Sequence, residues 1–217
     1  MINLDSIKFD LTDYTLKQES EFHRAWLSSK IVATLLRFDP DGVSWNFDLS
    51  DEKAARSFYD KQCTENGGAP LLIEKDLVHG IEILKGLFKY RAPNNKLAML
   101  FVGIIWIPFQ ECVFQINVEA MEQGTTGMRE AAVMLMKPDN SEEEEQEDFS
   151  PPVKVKNAEE MFEMMGSRPL KKIEADDETY DHIFKDHPLS LVRERLNQIL
   201  ETLEFGNDLK NCKPFRI

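Results

Sequence analysis

Four apolar runs lie back to back between residues 71 and 122, and the links between them are too short for anything but tight turns. The runs are 71–78, 81–90, 97–107 and 112–122. Their connectors centre on His79-Gly80, Ala92-Pro93-Asn94-Asn95 and Pro108-Phe109-Gln110. A parallel crossover needs about a dozen residues or more, so consecutive strands here run antiparallel. The third run is apolar throughout and predicts a central strand. In the fourth, Phe114, Ile116, Val118 and Ala120 face one way, while Gln115, Asn117 and Glu119 face the other. That polar face lines a groove, is wetted by solvent or is covered by the acidic stretch that follows later in the chain, and in the first case Gln115, Asn117 and Glu119 are candidate ligand-binding residues.

Other elements fall around this meander. Residues 30–38 (KIVATLLRF) read as a strand ahead of the turn Asp39-Pro40-Asp41-Gly42. Apolar groups on both of its sides predict cover on both faces. Ser50 is placed to cap a helix with Asp51 and Glu52 in its first turn. Ala54, Ala55, Phe58 and Tyr59 form the apolar stripe of that helix, and Asn66-Gly67-Gly68 ends it. A turn at 124–127 leads into a helix over 128–136, with Thr126 placed to cap it. Residues 188–205 form an amphipathic helix with Leu189, Val192, Leu196, Ile199 and Leu203 on one face. Pro188 suits its start and Gly206 its stop. The pattern predicts an α+β fold: a central antiparallel sheet sandwiched by helices, with an added C-terminal amphipathic helix.

Between the last two helices the chain turns strongly acidic. Six of the seven residues from 142 to 148 are acidic, which predicts a mobile acidic loop over 139–152. A short helix with Met161, Phe162, Met164 and Met165 is expected after it. No internal repeat is visible, and residues 1–217 are expected to form a single domain.

Charge and cysteine usage narrow the function classes. A formal net charge of −13 repels phosphate backbones and anionic lipid surfaces, so neither nucleic acid nor membrane is expected as a partner. A protein partner, basic in character, suits it better. The longest apolar run, 97–109, is too short to span a bilayer. The N-terminal residues show no basic stretch followed by an apolar one, so a cytoplasmic location is expected. Cys63, Cys112 and Cys212 have wide spacings that spell neither a disulfide framework nor a metal site, which suggests reduced thiols.

Several stretches together resemble a widespread group of uncharacterised bacterial proteins. They are Asn66-Gly67-Gly68 with the strand after it, Leu84-Lys85-Gly86-Leu87-Phe88-Lys89, and Ile107-Pro108-Phe109 with the strand before it. More specific are Glu122-Gln123-Gly124-Thr125-Thr126-Gly127-Met128-Arg129-Glu130 and the stretch from Asp177 through Asp181-His182 and Asp186-His187-Pro188 to Ser190. The resemblance spans roughly residues 26–205. The order of elements is similar to the PsbP/Mog1/DcrB type of fold, an antiparallel sheet between helices. That resemblance implies a protein-binding role, since members mostly bind other proteins.

Two constellations carry candidate chemistry. Asp181-His182 and Asp186-His187 bring imidazole and carboxylate together, and His182, Asp186 and His187 are the candidate ligands of a divalent metal. The alternative is that Asp186 or His187 caps the helix beginning at Pro188. Glu122, Thr126, Arg129 and Glu130 surround a glycine-flanked turn whose backbone N–H groups can hold an anion together with Arg129. The alternative there is a structural turn with Arg129 paired to a neighbouring carboxylate. The methionines at 134, 136, 161, 164 and 165 are either core filler or an adaptable docking surface. The chain contains no G-x-S-x-G, H-E-x-x-H or G-x-G-x-x-G. The expectation is therefore a non-catalytic binding or accessory module, immunity-like or chaperone-like. The competing readings are a metal-dependent hydrolase and a small-anion sensor.

Overall fold

The computed structural model describes residues 2–136 and 167–217. The acidic run at 139–152 and the methionines at 161, 164 and 165 lie outside the described residues. The four runs of the meander form strands β5 (Ala69–Val78), β6 (Ile81–Ala92), β7 (Asn95–Pro108) and β8 (Val113–Met121). Each pairs antiparallel with the next, as the short connectors require. Residues 33–39 form β4 (Ala33–Asp39), which joins the far side of β8 with Leu36 opposite Ile116.

Two further strands come from a region with little apolar patterning. They are β2 (Tyr14–Glu19) and β3 (His23–Ser28), and they extend the sheet beyond β4 to the order β2-β3-β4-β8-β7-β6-β5. The addition puts β8 in the middle of seven strands, with the apolar β7 beside it. A second, two-stranded sheet pairs β1 (Ile7–Lys8) with β9 (Glu204–Phe205).

The helices lie on opposite faces of the large sheet. Helix α3 (Pro188–Thr202) covers one face: Leu189, Val192, Leu196 and Ile199 join Phe101, Ile105, Ile116 and Val118 in one buried cluster. Gly103 permits this close seat, because a Cβ there would lie 2.5 Å from Leu196 Cδ1. Helix α1 (Glu52–Glu65) covers the other face over β5, β6 and part of β7. Its Ala55, Tyr59 and Cys63 pack on Ile73, Leu84, Phe88 and Trp106. Helix α2 (Met128–Met136) follows the turn after β8.

Three local expectations shift. The cap of α1 is Asp51, whose carboxylate accepts from Ala54 N at 2.9 Å, one residue beyond Ser50. Helix α3 ends at Thr202 rather than Phe205, because Glu204 and Phe205 turn extended to pair with Lys8 and Ile7. Strand β4 is buried on one face only: Leu36 and Phe38 are in the core, while Ala33 and Leu35 are half-exposed. Among the described residues nothing supplies the expected second cover, because α1 packs over β5, β6 and part of β7 instead.

Candidate functional site

The two most specific sequence motifs meet at one corner of the fold. Glu122, just past β8, is buried, and its carboxylate accepts from Met99 N at 2.8 Å and from Gly127 N at 3.2 Å. Its Oε1 also faces His187 Nε2 at 3.5 Å, longer than an ordinary hydrogen bond. Burial pushes the Glu122 carboxyl up. The facing His187 and the two backbone donors outweigh that and hold it below the usual glutamate range. A depressed carboxylate stabilises the fold above its unfolded pKa, and that contribution is lost as pH falls through the lower folded value. Glu122→Gln is therefore expected to flatten the acid limb of a stability-versus-pH curve, measured by chemical denaturation.

Arg129 at the start of α2 is only 1% exposed. Its Nε donates to Ala175 O at 2.6 Å and its Nη1 to Ser190 Oγ at 2.8 Å. Its Nη2 donates to Asp177 O at 2.8 Å and Asp181 Oδ1 at 2.9 Å. A guanidinium has five donors, and four are directed at protein oxygens. The arrangement is the structural turn of the two sequence alternatives, with Arg129 paired to a carboxylate rather than aimed at an anion. Thr126 and Glu130 beside it are half-buried, and Glu130 Oε2 is buried without a hydrogen-bond partner among the described residues.

His182, Asp186 and His187 are not brought together. His182 Nδ1 lies 2.6 Å from Thr179 O, and the exposed Asp186 pairs with Lys30 at 3.0 Å. His187 caps α3, its Nδ1 accepting from Leu189 N at 3.2 Å. No group of three or more His, Cys, Asp or Glu side chains fit to hold a metal occurs among the described residues.

A third candidate is the half of the α1-side sheet face that the described residues leave open, which is where β8 turns Gln115, Asn117 and Glu119. All three are half-buried. Trp106 Nε1 donates to Gln115 Oε1 at 3.1 Å, and Gln115 Nε2 donates to Asn117 Oδ1 at 2.7 Å. Beside this polar ladder stand half-buried Ile104 from β7, Leu35 from β4, and Ala25 and Leu27 from β3. At one end the face sinks into a cavity of about 290 Å³ whose lining includes Arg37, Asp39, Trp45, Tyr59, Trp106 and Gln115.

Aromatic packing gives the cavity a firm wall. Tyr59 stacks on Trp106 with centroids 4.5 Å apart, and Trp45 Nε1 donates to Tyr59 OH at 2.8 Å. Burial raises the Tyr59 hydroxyl well above the usual phenol range, so it stays a neutral donor and acceptor. Arg37, at the rim, lies 3.6 Å from Asp39. The sequence pattern exposes the polar ladder of β8 but not Arg37, Trp45 or Tyr59, which arrive from a strand, a loop and a helix that all lie far ahead of β8 in the chain. Trp45 and Tyr59 have a local signal in the density of aromatic residues between 45 and 59; Arg37 has none.

No protein-family profile matches the chain, and no curated protein matches it. Among solved structures it is similar to the Ran-binding protein Mog1p of Saccharomyces cerevisiae, at 14% identity and a TM-score of 0.40, covering 60% of this chain and 78% of that one. A point variant of Mog1 gives 12% identity and a TM-score of 0.42 over 94% of this chain and 93% of that one. LpqN of Mycobacterium tuberculosis, involved in cell envelope biogenesis, gives 14% identity and a TM-score of 0.36 over 59% and 75%. At these scores the similarities add nothing to the reading of the site. Among the described residues, no helix is long and apolar enough to cross a membrane.

Proposed function

We propose that this chain is a non-catalytic protein-binding module. A segment of a partner protein lies across the open half of the sheet and places an apolar side chain in the cavity beside Trp45. The observation that carries this reading is the combination of a sheet half that the described residues leave uncovered with an aromatic-walled cavity at its end. Half-buried Leu35, Ile104 and Leu27 offer an apolar centre, and Arg37, Asp39 and Glu119 a polar rim, the anatomy of a protein interface. The net charge of −13 favours a basic partner and speeds its approach at low salt.

Affinity capture from native lysate at low ionic strength tests the reading, run in parallel on the natural chain, Leu35→Glu and Asn117→Arg. Both substitutions fall on half-exposed positions and are expected to leave thermal stability within a few degrees. A specific partner retained by the natural chain should be lost or weakened about tenfold or more by each, the effect of one central interface residue. A partner held equally well by all three proteins would place the interface elsewhere, and the reading would fail.

A further inference from the structure

We infer that Cys112 and Cys212 are the two halves of a disulfide that, once formed, staples the C-terminal tail beside the aromatic cavity. Nothing in their spacing along the chain pairs them; the fold brings both to the same apolar cluster. Cys112 closes the turn between β7 and β8, its carbonyl accepting from Phe109 N at 2.8 Å. The tail runs alongside that turn. Phe109 and Pro214 form an isolated antiparallel bridge, and Gln110 N donates to Lys213 O at 3.0 Å. Cys212 sits two residues before Pro214 and packs against the same apolar cluster that contains Cys112. Cys63 belongs to the other cluster, beneath α1, so it is separated from this pair by the sheet.

The tail matters because of the residues beyond Cys212. Phe215 rests edge-on against Trp45 with centroids 5.5 Å apart, and Trp45 is a wall of the cavity. Arg216 reaches Glu82 Oε2 at 2.5 Å through an exposed pair. A short, largely exposed segment opens easily on its own. A covalent link at Cys212 would fix it, and with it the support behind Trp45.

The chemistry assigns each sulfur a role. Cys212 is half-exposed and is the entry point; Cys112 is buried and resolves. The Cys212 thiolate attacks one sulfur of a small organic disulfide such as oxidised glutathione, and the reagent's S–S bond breaks to release one thiolate. Cys112, losing its proton to solvent, then attacks Cys212 Sγ and releases the second thiolate. Two protein thiols lose two electrons and one disulfide reagent becomes two thiols. Burial pushes the Cys112 thiol up to about 11, with the neighbouring Cys212 adding to the shift, and burial also raises Cys212. Exchange is therefore slow at neutral pH and accelerates as pH rises, the behaviour of a lasting cross-link rather than a fast sensor.

The full-length chain, incubated with oxidised glutathione in mildly alkaline buffer, alkylated and mapped without reduction, tests the inference. The expected product is a Cys112–Cys212 cross-linked peptide with Cys63 alkylated. Because the bond closes a loop of about a hundred residues, Tm should rise by about 10 °C and return on reduction. Cys212→Ser should fold normally and show neither cross-link nor gain. Oxidation that stops at a glutathione adduct on Cys212, pairs Cys63, or yields only intermolecular dimers overturns the inference. So does a Tm gain that persists in Cys212→Ser. None of these outcomes depends on the partner-binding reading.

Discussion

Replacing Arg129 with alanine is expected to remove about 3–5 kcal/mol of stability, the cost of stripping one partner from a buried charge network. For a chain of this length that is a Tm lower by about 10 °C. The size reflects the groups the guanidinium would leave behind. Ala175 O, Asp177 O and Ser190 Oγ would each lose a donor. Asp181 would keep Arg193 Nη1 at 2.9 Å, which limits the loss. Phe184, whose ring lies 5.6 Å from the guanidinium carbon, would face a void. Arg129→Lys retains the charge but not the planar fork, and one ammonium cannot reach oxygens arranged around four directions. It should recover less than half of the loss. Urea denaturation of the three proteins measures this directly. A loss within about 0.5 kcal/mol, the range of ordinary surface substitutions, would mean that Arg129 does not clamp α2 to the 173–187 segment.

The same residue shows where sequence reading succeeds and where it stops. Arg129 stands out in a distinctive motif, and a charged residue in a glycine-flanked turn suggests a ligand because arginine is seldom fully buried. Its partners, however, lie 46 to 61 residues downstream in the chain, and no local pattern announces them. Strands β5 to β8 were legible because each connector is too short for any arrangement but a hairpin. Strands β2 and β3 were not. Lys17, Gln18, Glu19 and Arg24 interrupt their apolar residues, and a bulge between Leu16 and Gln18 breaks the alternation. The polar ladder of β8 was legible from its two-residue period. Its neighbours Leu35 and Arg37 were not, because they reach it only through the pairing of β4 with β8 across a long stretch of chain. Local pattern thus fixed which side of β8 is polar, while strand order decided what stands beside it.

The buried pair of Lys89 and Asp176 makes a second large effect. Their side chains are 6% and 2% exposed, and Lys89 Nζ donates to Asp176 Oδ2 on the α3 side of the sheet. Lys89→Met leaves the carboxylate buried without its cation and is expected to lose about 3–5 kcal/mol. Asp176→Leu strands the ammonium and also removes the acceptor of Ile173 N, now at 2.8 Å. The double variant should be more stable than the sum of the two losses predicts, with a coupling of about 2 kcal/mol or more in a denaturation cycle. Additivity within about 0.5 kcal/mol would show that the two groups do not depend on each other. Apolar replacements restore burial energy but not direction. The ion pair fixes where residues 173–176 meet β6, and Arg193 Nη2, donating to Asp176 O, ties that point to α3. The double variant should therefore keep much of its stability while the 173–187 segment exchanges its amide hydrogens faster than in the natural chain. Unchanged exchange there would mean that apolar packing, rather than the ion pair, positions the segment.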